Sequence, residues 1–132
     1  TTMSYSNPTE RSYIWPAQNF TSAITRHIKP PVRCTRGVIT DLHVSVTTLF
    51  TAVTTQGFVN VGIAGNTSKY ASLGMGTAAA NTAYNARDFA GAIKSDIDLV
   101  RDGVSSIQIE TVAPTGGAPA GVGDVNLGIA WS

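Results

Sequence analysis

The sequence is poor in charge and nearly free of cysteine. Only 13% of its 132 residues are Asp, Glu, Lys or Arg, about half the share usual in folded domains. The single cysteine, Cys34, excludes an intramolecular disulfide and any zinc site built from several cysteines. Its two histidines, His27 and His43, have no second histidine or glutamate at ligand spacing, which excludes the helical zinc-hydrolase pattern. No apolar run is long enough to cross a bilayer as a helix. The first residues, Thr1-Thr2-Met3-Ser4-Tyr5, lack the basic-then-apolar pattern of a secretion signal. A formal net charge of +1 leaves no basic excess with which the whole chain could neutralise a polyphosphate. At 42% hydrophobic, the composition is not that of a disordered chain either.

What fills the space is Thr, Ser and Gly, with 17, 11 and 13 residues. Residues 42–68 run without a single Asp, Glu, Lys or Arg. The length is that of one domain, yet charge divides the chain in two. Residues 1–36 carry Arg11, Arg26, Lys29, Arg33 and Arg36 against Glu10 alone, whereas residues 37–132 carry seven acids against Lys69, Arg87, Lys94 and Arg101. The first part holds prolines at 8, 16, 30 and 31, shows no periodicity beyond a possible short turn at 21–28, and reads as an extended N-terminal arm.

The second part alternates. Val38, Thr40, Leu42, Val44, Val46, Thr48 and Phe50 share one parity, the mark of a half-buried strand. Strands are also expected over 57–64, 96–100, 105–112 and 124–132, with Asp102-Gly103 as a hairpin turn. The Ala-rich stretch 77–92 reads as an irregular loop. Short strands joined by Gly/Pro turns, with no long helical pattern, predict an all-β antiparallel sandwich over 37–132, jelly-roll or Ig-like.

No catalytic constellation is legible. Cys34 lies between Arg33 and Arg36 with no partner base, and reads as a half-buried structural thiol. Asp96, Asp98 and Asp102 form an acidic cluster without calcium-loop spacing. Gly74-Met75-Gly76 echoes a phosphate loop outside any βαβ context. The expectation is a protein with no enzymatic activity, cofactor or metal.

Binding is the better-supported class. Tyr5, Tyr13, Trp15 and Phe20, with Arg11, Arg26, Lys29, Arg33 and Arg36, are the residue types that dominate interface energies. Two readings stay open. Either the arm lies along a partner, or it folds back and its aromatics cap the sandwich.

Val112-Ala113-Pro114-Thr115-Gly116-Gly117-Ala118-Pro119-Ala120-Gly121, followed by Asp124-Val125-Asn126-Leu127-Gly128-Ile129-Ala130-Trp131, resembles the closing hairpin of jelly-roll capsid decoration, or cement, proteins of tailed bacteriophages. The stretches 37–41, 59–64 and 70–77 fit the same family. The resemblance implies a non-enzymatic virion protein, made in the host cytoplasm and placed on the outer surface of the capsid. There it would clamp neighbouring major capsid protein subunits, as a dimer or trimer, with no direct contact to nucleic acid or membrane. On that reading residues 1–36 are a clamp, and deleting residues 1–20 leaves a folded body. A carbohydrate- or receptor-binding sandwich of a phage tail or fibre is the alternative, with exposed aromatics stacking on sugars.

Overall fold

A computed structural model describes residues 9–51, 54–116 and 119–132. Tyr5, one of the expected partner-binding residues, lies outside them. Among the described residues nine strands form two antiparallel sheets: β1 (Thr9–Asn19), β2 (Thr25–Ile28), β3 (Arg36–Thr51), β4 (Phe58–Ile63), β5 (Asn66–Gly74), β6 (Thr82–Asn85), β7 (Ile97–Asp98), β8 (Ile107–Val112) and β9 (Ala120–Trp131). One sheet runs β1-β9-β3-β6, with β7 added to β3, and the other runs β2-β8-β4-β5. With the two-residue β7 set aside, the pairs β1·β9, β2·β8, β3·β6 and β4·β5 describe one long antiparallel ribbon. Rolled up, the ribbon closes through β3·β9 and β4·β8. This is the eight-stranded jelly roll.

The core lies between the sheets, where β3 contributes Leu42, Val44 and Val46, β8 Ile107 and Ile109, and β9 Val125, Leu127, Ile129 and Trp131. These residues follow the alternation in the sequence. At the start of β3 the parity fails, with Val38 exposed and Ile39 buried. The cause is a bulge: Ile39 pairs with Ile129 and Asp41 with Gly128, so Thr40 is an extra residue and reverses which side chains face inward.

The largest departure concerns the expected arm. Residues 9–19 and 25–28 are extended, but they are strands of the body, joined by a turn. β1 is an edge strand of one sheet and pairs with β9 from Thr9↔Trp131 to Asn19↔Val122. β2 is an edge strand of the other. The division at residue 36 into arm and sandwich is therefore not followed by strand pairing. An edge position explains how Pro16 is tolerated, since no partner requires its missing N–H. A bulge explains the missing periodicity. Trp15 pairs with Val125 and Gln18 with Gly123, with Ala17 at a φ of +50° and its N–H donating 2.8 Å to the Asp124 carboxylate. Tyr13 and Trp15 turn inward on one parity, Gln18 and Phe20 on the other.

Three smaller expectations also change. Asp96–Val100 is a strand only at Ile97–Asp98, after which Leu99–Asp102 forms a single helical turn, α1. Asp98 caps this turn by accepting from the Arg101 N–H, and Gly103, at a φ of +67°, ends it. Asp102-Gly103 is thus a helix terminus rather than a hairpin. β5 was not foreseen; it follows a two-residue turn at Ala64-Gly65, where Gly65 has a φ of +87°. The expected loop over 77–92 contains β6 and a 3-10 turn at Ala86–Asp88.

Candidate interaction surface at one end of the sandwich

β2 ends and β3 begins at the same end of the jelly roll, and residues 29–35 cross between the sheets there. Pro31–Cys34 is a β-turn in which the Cys34 N–H donates 3.0 Å to the Pro31 carbonyl. Its third residue, Arg33, has a φ of +69°, a left-handed conformation that favours Gly or Asn. The loop is anchored at its end: the Thr35 and Arg36 N–H groups donate to the Ser132 carbonyl, and the Leu99 N–H donates to Thr35. Its apex is open. Val32 is 89% exposed, and Lys29 and Arg33 beside it are exposed too. Cys34 is half-buried against the core, the position expected for a structural thiol.

The helical turn α1 lies against this loop and is fixed by one carboxylate. The Asp102 side chain, 4% exposed, receives the Arg101 Nε at 3.0 Å and lies 3.6 Å from the Lys69 Nζ. It also accepts a short hydrogen bond from the buried Tyr70 hydroxyl. The hydrogen bond from Arg101, then that from Tyr70, hold the Asp102 carboxyl down at about 2 against the opposing effect of burial. Burial first, and then the Asp102 partner, push the Tyr70 hydroxyl above its ordinary range. The Asp102 hydrogen bond raises the Arg101 guanidinium. This set ties α1 to β5 and leaves Val100, 75% exposed, projecting from the end.

Arg36 and Arg101 border one depression together with Val38, Asp96, Asp98 and Ser132. Arg36 makes an ion pair with Asp98 at 3.6 Å. Asp98 also caps α1, and the Asp96 carbonyl accepts from Arg101. Two carboxylates of the acidic cluster, Asp98 and Asp102, are thus paired with arginines. Among the described residues no group of three His, Cys, Asp or Glu side chains is arranged to hold a metal ion.

The described members of the expected partner-binding set fall into three groups. Lys29, Arg33 and Arg36 are exposed at this end. Arg11 and Arg26 are exposed on the edge strands, opposite Ile129 and Ile109. The described aromatics, Tyr13, Trp15 and Phe20, face the protein's own interior. Phe20 is fully buried and meets Phe50 edge-on, with ring centroids 4.7 Å apart. Tyr13 and Trp15 stack 6.1 Å apart and pack on the core, and the Trp131 Nε1–H donates 3.1 Å to the Tyr13 hydroxyl. Val32, Val38, Val100 and Arg101 were missed. Val32 alone carried a signal, as an apolar residue in Lys29-Pro30-Pro31-Val32-Arg33, where turn chemistry requires exposure.

His43 is half-buried, with its Nδ1–H 2.8 Å from the Asp41 carboxylate. Arg87 donates to the Thr40 carbonyl. Both contacts support the Thr40 bulge. The open end thus presents cationic donors around apolar tips on a hydrogen-bonded backbone.

No protein-family model and no curated protein matches the chain. Among solved structures it is similar to a chain described as a cyanophage Pam1 capsid asymmetric unit. The identity is 14%, the match covers 100% of this chain and 91% of that one, and the TM-score is 0.48.

Proposed function

We propose that this chain is a structural virion protein that decorates the outside of a phage capsid and holds neighbouring major capsid protein subunits together. The observation that carries the reading is where the fold puts the residues that resemble the decoration family. Residues 112–131, the most specific part of the resemblance, include the loop into β9 and β9 itself. β9 is the strand that pairs with both β1 and β3 and so closes the jelly roll. The function follows without chemistry, because a decoration protein contributes interface area that a pressurised shell must lose before it breaks.

On this reading the grip is assigned to Val32, Lys29, Arg33, Arg36 and Val100 at the open end, because Phe20 is core and Tyr13 and Trp15 pack on it. Two or three copies acting together multiply weak contacts of this kind through effective concentration. The alternative, a sugar-binding tail or fibre domain, needs exposed aromatic platforms, and three of its expected rings face inward.

The test is co-sedimentation of the purified chain with capsids assembled from the major capsid protein of the same phage. The expected result is saturable binding in fixed ratio to capsid subunits, with heads that withstand higher temperature. Recovery of the chain only with tails, or no binding at saturating concentration, refutes the reading.

A further inference from the structure

Beside the open end, β5, the segment after β6 and α1 enclose a shallow depression lined by Asn66, Ser68, Lys69, Lys94, Ser95 and Arg101. Three of the four cations in residues 37–132 meet here, although 25 and seven positions separate them in sequence. The backbone beneath is fixed: the Ser72 N–H donates 2.7 Å to Ala92, and the Lys94 N–H donates 2.8 Å to Tyr70. Lys94 is exposed and has no carboxylate within 4.0 Å among the described residues. Asp102, the acid below, is enclosed and already satisfied by Arg101, Lys69 and Tyr70. The depression therefore keeps an excess of positive charge, with neutral hydroxyl and amide groups around it.

We propose that this depression is a carboxylate-binding pocket that receives an acidic side chain of a protein partner. Cations alone would suit any oxyanion. The apolar Val100 projecting from the same turn as Arg101, and the lack of a ring in the lining on which a base could stack, favour a protein over a nucleic acid. The pocket rests on the capsid reading only for the identity of the partner, because its chemistry can be measured on the isolated chain.

The test is an NMR titration of the full chain with three probes: a capped peptide of alternating Glu and Val, inorganic phosphate, and a single-stranded oligonucleotide. Saturable peptide-induced shifts are expected at Lys69, Lys94, Ser95 and Arg101. Lys94→Glu should weaken peptide binding by about tenfold, Lys94→Arg should retain it, and Arg11→Gln, remote from the pocket, should leave it unchanged. Lys94→Gln, which adds no new charge, serves as the variant if Lys94→Glu does not fold. The proposal is overturned by no saturable shift at about 10 mM peptide, or by equal loss in Arg11→Gln. Phosphate binding as tight as the peptide means a free-anion site, and tighter oligonucleotide binding means a nucleic-acid site; each overturns it. Because no particle is involved, failure here leaves the capsid-binding test standing, and failure of that test leaves the pocket standing.

Discussion

Phe20→Ala separates the two readings of the N-terminal segment. If residues 1–36 were a detachable clamp, removing this ring would weaken partner binding and leave the fold intact. In the structure the ring is fully buried. It lies edge-on to Phe50, and its backbone N–H donates 2.9 Å to the Gly121 carbonyl. Gly121 leaves no slack, since a Cβ there would come within 2.5 Å of the Phe50 ring. Truncating a buried Phe to Ala costs about 3–5 kcal/mol, of which the aromatic pair accounts for about 0.5–1.5. With a urea slope of about 2 kcal/mol per molar, the denaturation midpoint should fall by about 1.5–2.5 M. Fluorescence of the buried Trp131 provides the assay. Phe20→Leu, which keeps most of the volume, should cost less than about 1.5 kcal/mol and stays measurable if the alanine variant is unfolded. A Phe20→Ala midpoint within the range of exposed substitutions, about 0.5 kcal/mol, would refute the core assignment and restore the clamp.

Three further outcomes follow from the same geometry. Deleting residues 1–20 should abolish cooperative unfolding, because it removes β1 and exposes the paired edge of β9; circular dichroism and a sharp melt in the truncated chain would contradict this. Asp102 is held at about 2, below the ordinary 3.8, so its contribution is complete above about pH 4 and is lost as pH falls towards 2. A shift of that size is worth about 2 kcal/mol, and screening at the half-exposed Arg101 reduces it to about 1. The stability gap between wild type and Asp102→Asn should therefore narrow by about 1 kcal/mol between pH 6 and pH 2, and a constant gap in urea titrations would be evidence against the network. Arg33→Gly should relieve the left-handed strain and stabilise the chain by about 0.5–1 kcal/mol while weakening capsid binding; loss of stability together with unchanged binding would count against a functional role for that arginine.

How much of this was legible depends on local regularity. β8, β9 and the middle of β3 alternate, and their buried aliphatic side chains are the ones that the pattern marks, whereas Gln108, on the opposite parity of β8, is buried as well. β1 hides because the bulge at Pro16-Ala17 reverses parity halfway along, so that Tyr13 and Trp15 cannot be put in phase with Phe20. β5 hides because its buried residues, Tyr70, Ala71 and Leu73, include an adjacent pair, with Ala71 bridging Ile93. Composition drew attention to the cations of residues 26–36, and all four are exposed. It could not show that Lys69, Lys94 and Arg101 converge, since only the pairing of distant segments places them side by side.

Low charge, the sequence's most obvious shortage, fits a protein whose surface is mostly covered in an assembly. A cryo-EM map of the mature particle tests that most directly. The account predicts a jelly roll of this topology on the outer face of the capsid, with the end that carries Val32, Arg36 and Val100 turned towards the major capsid subunits. A map that places the chain only in the tail, or that shows this end facing solvent, contradicts it.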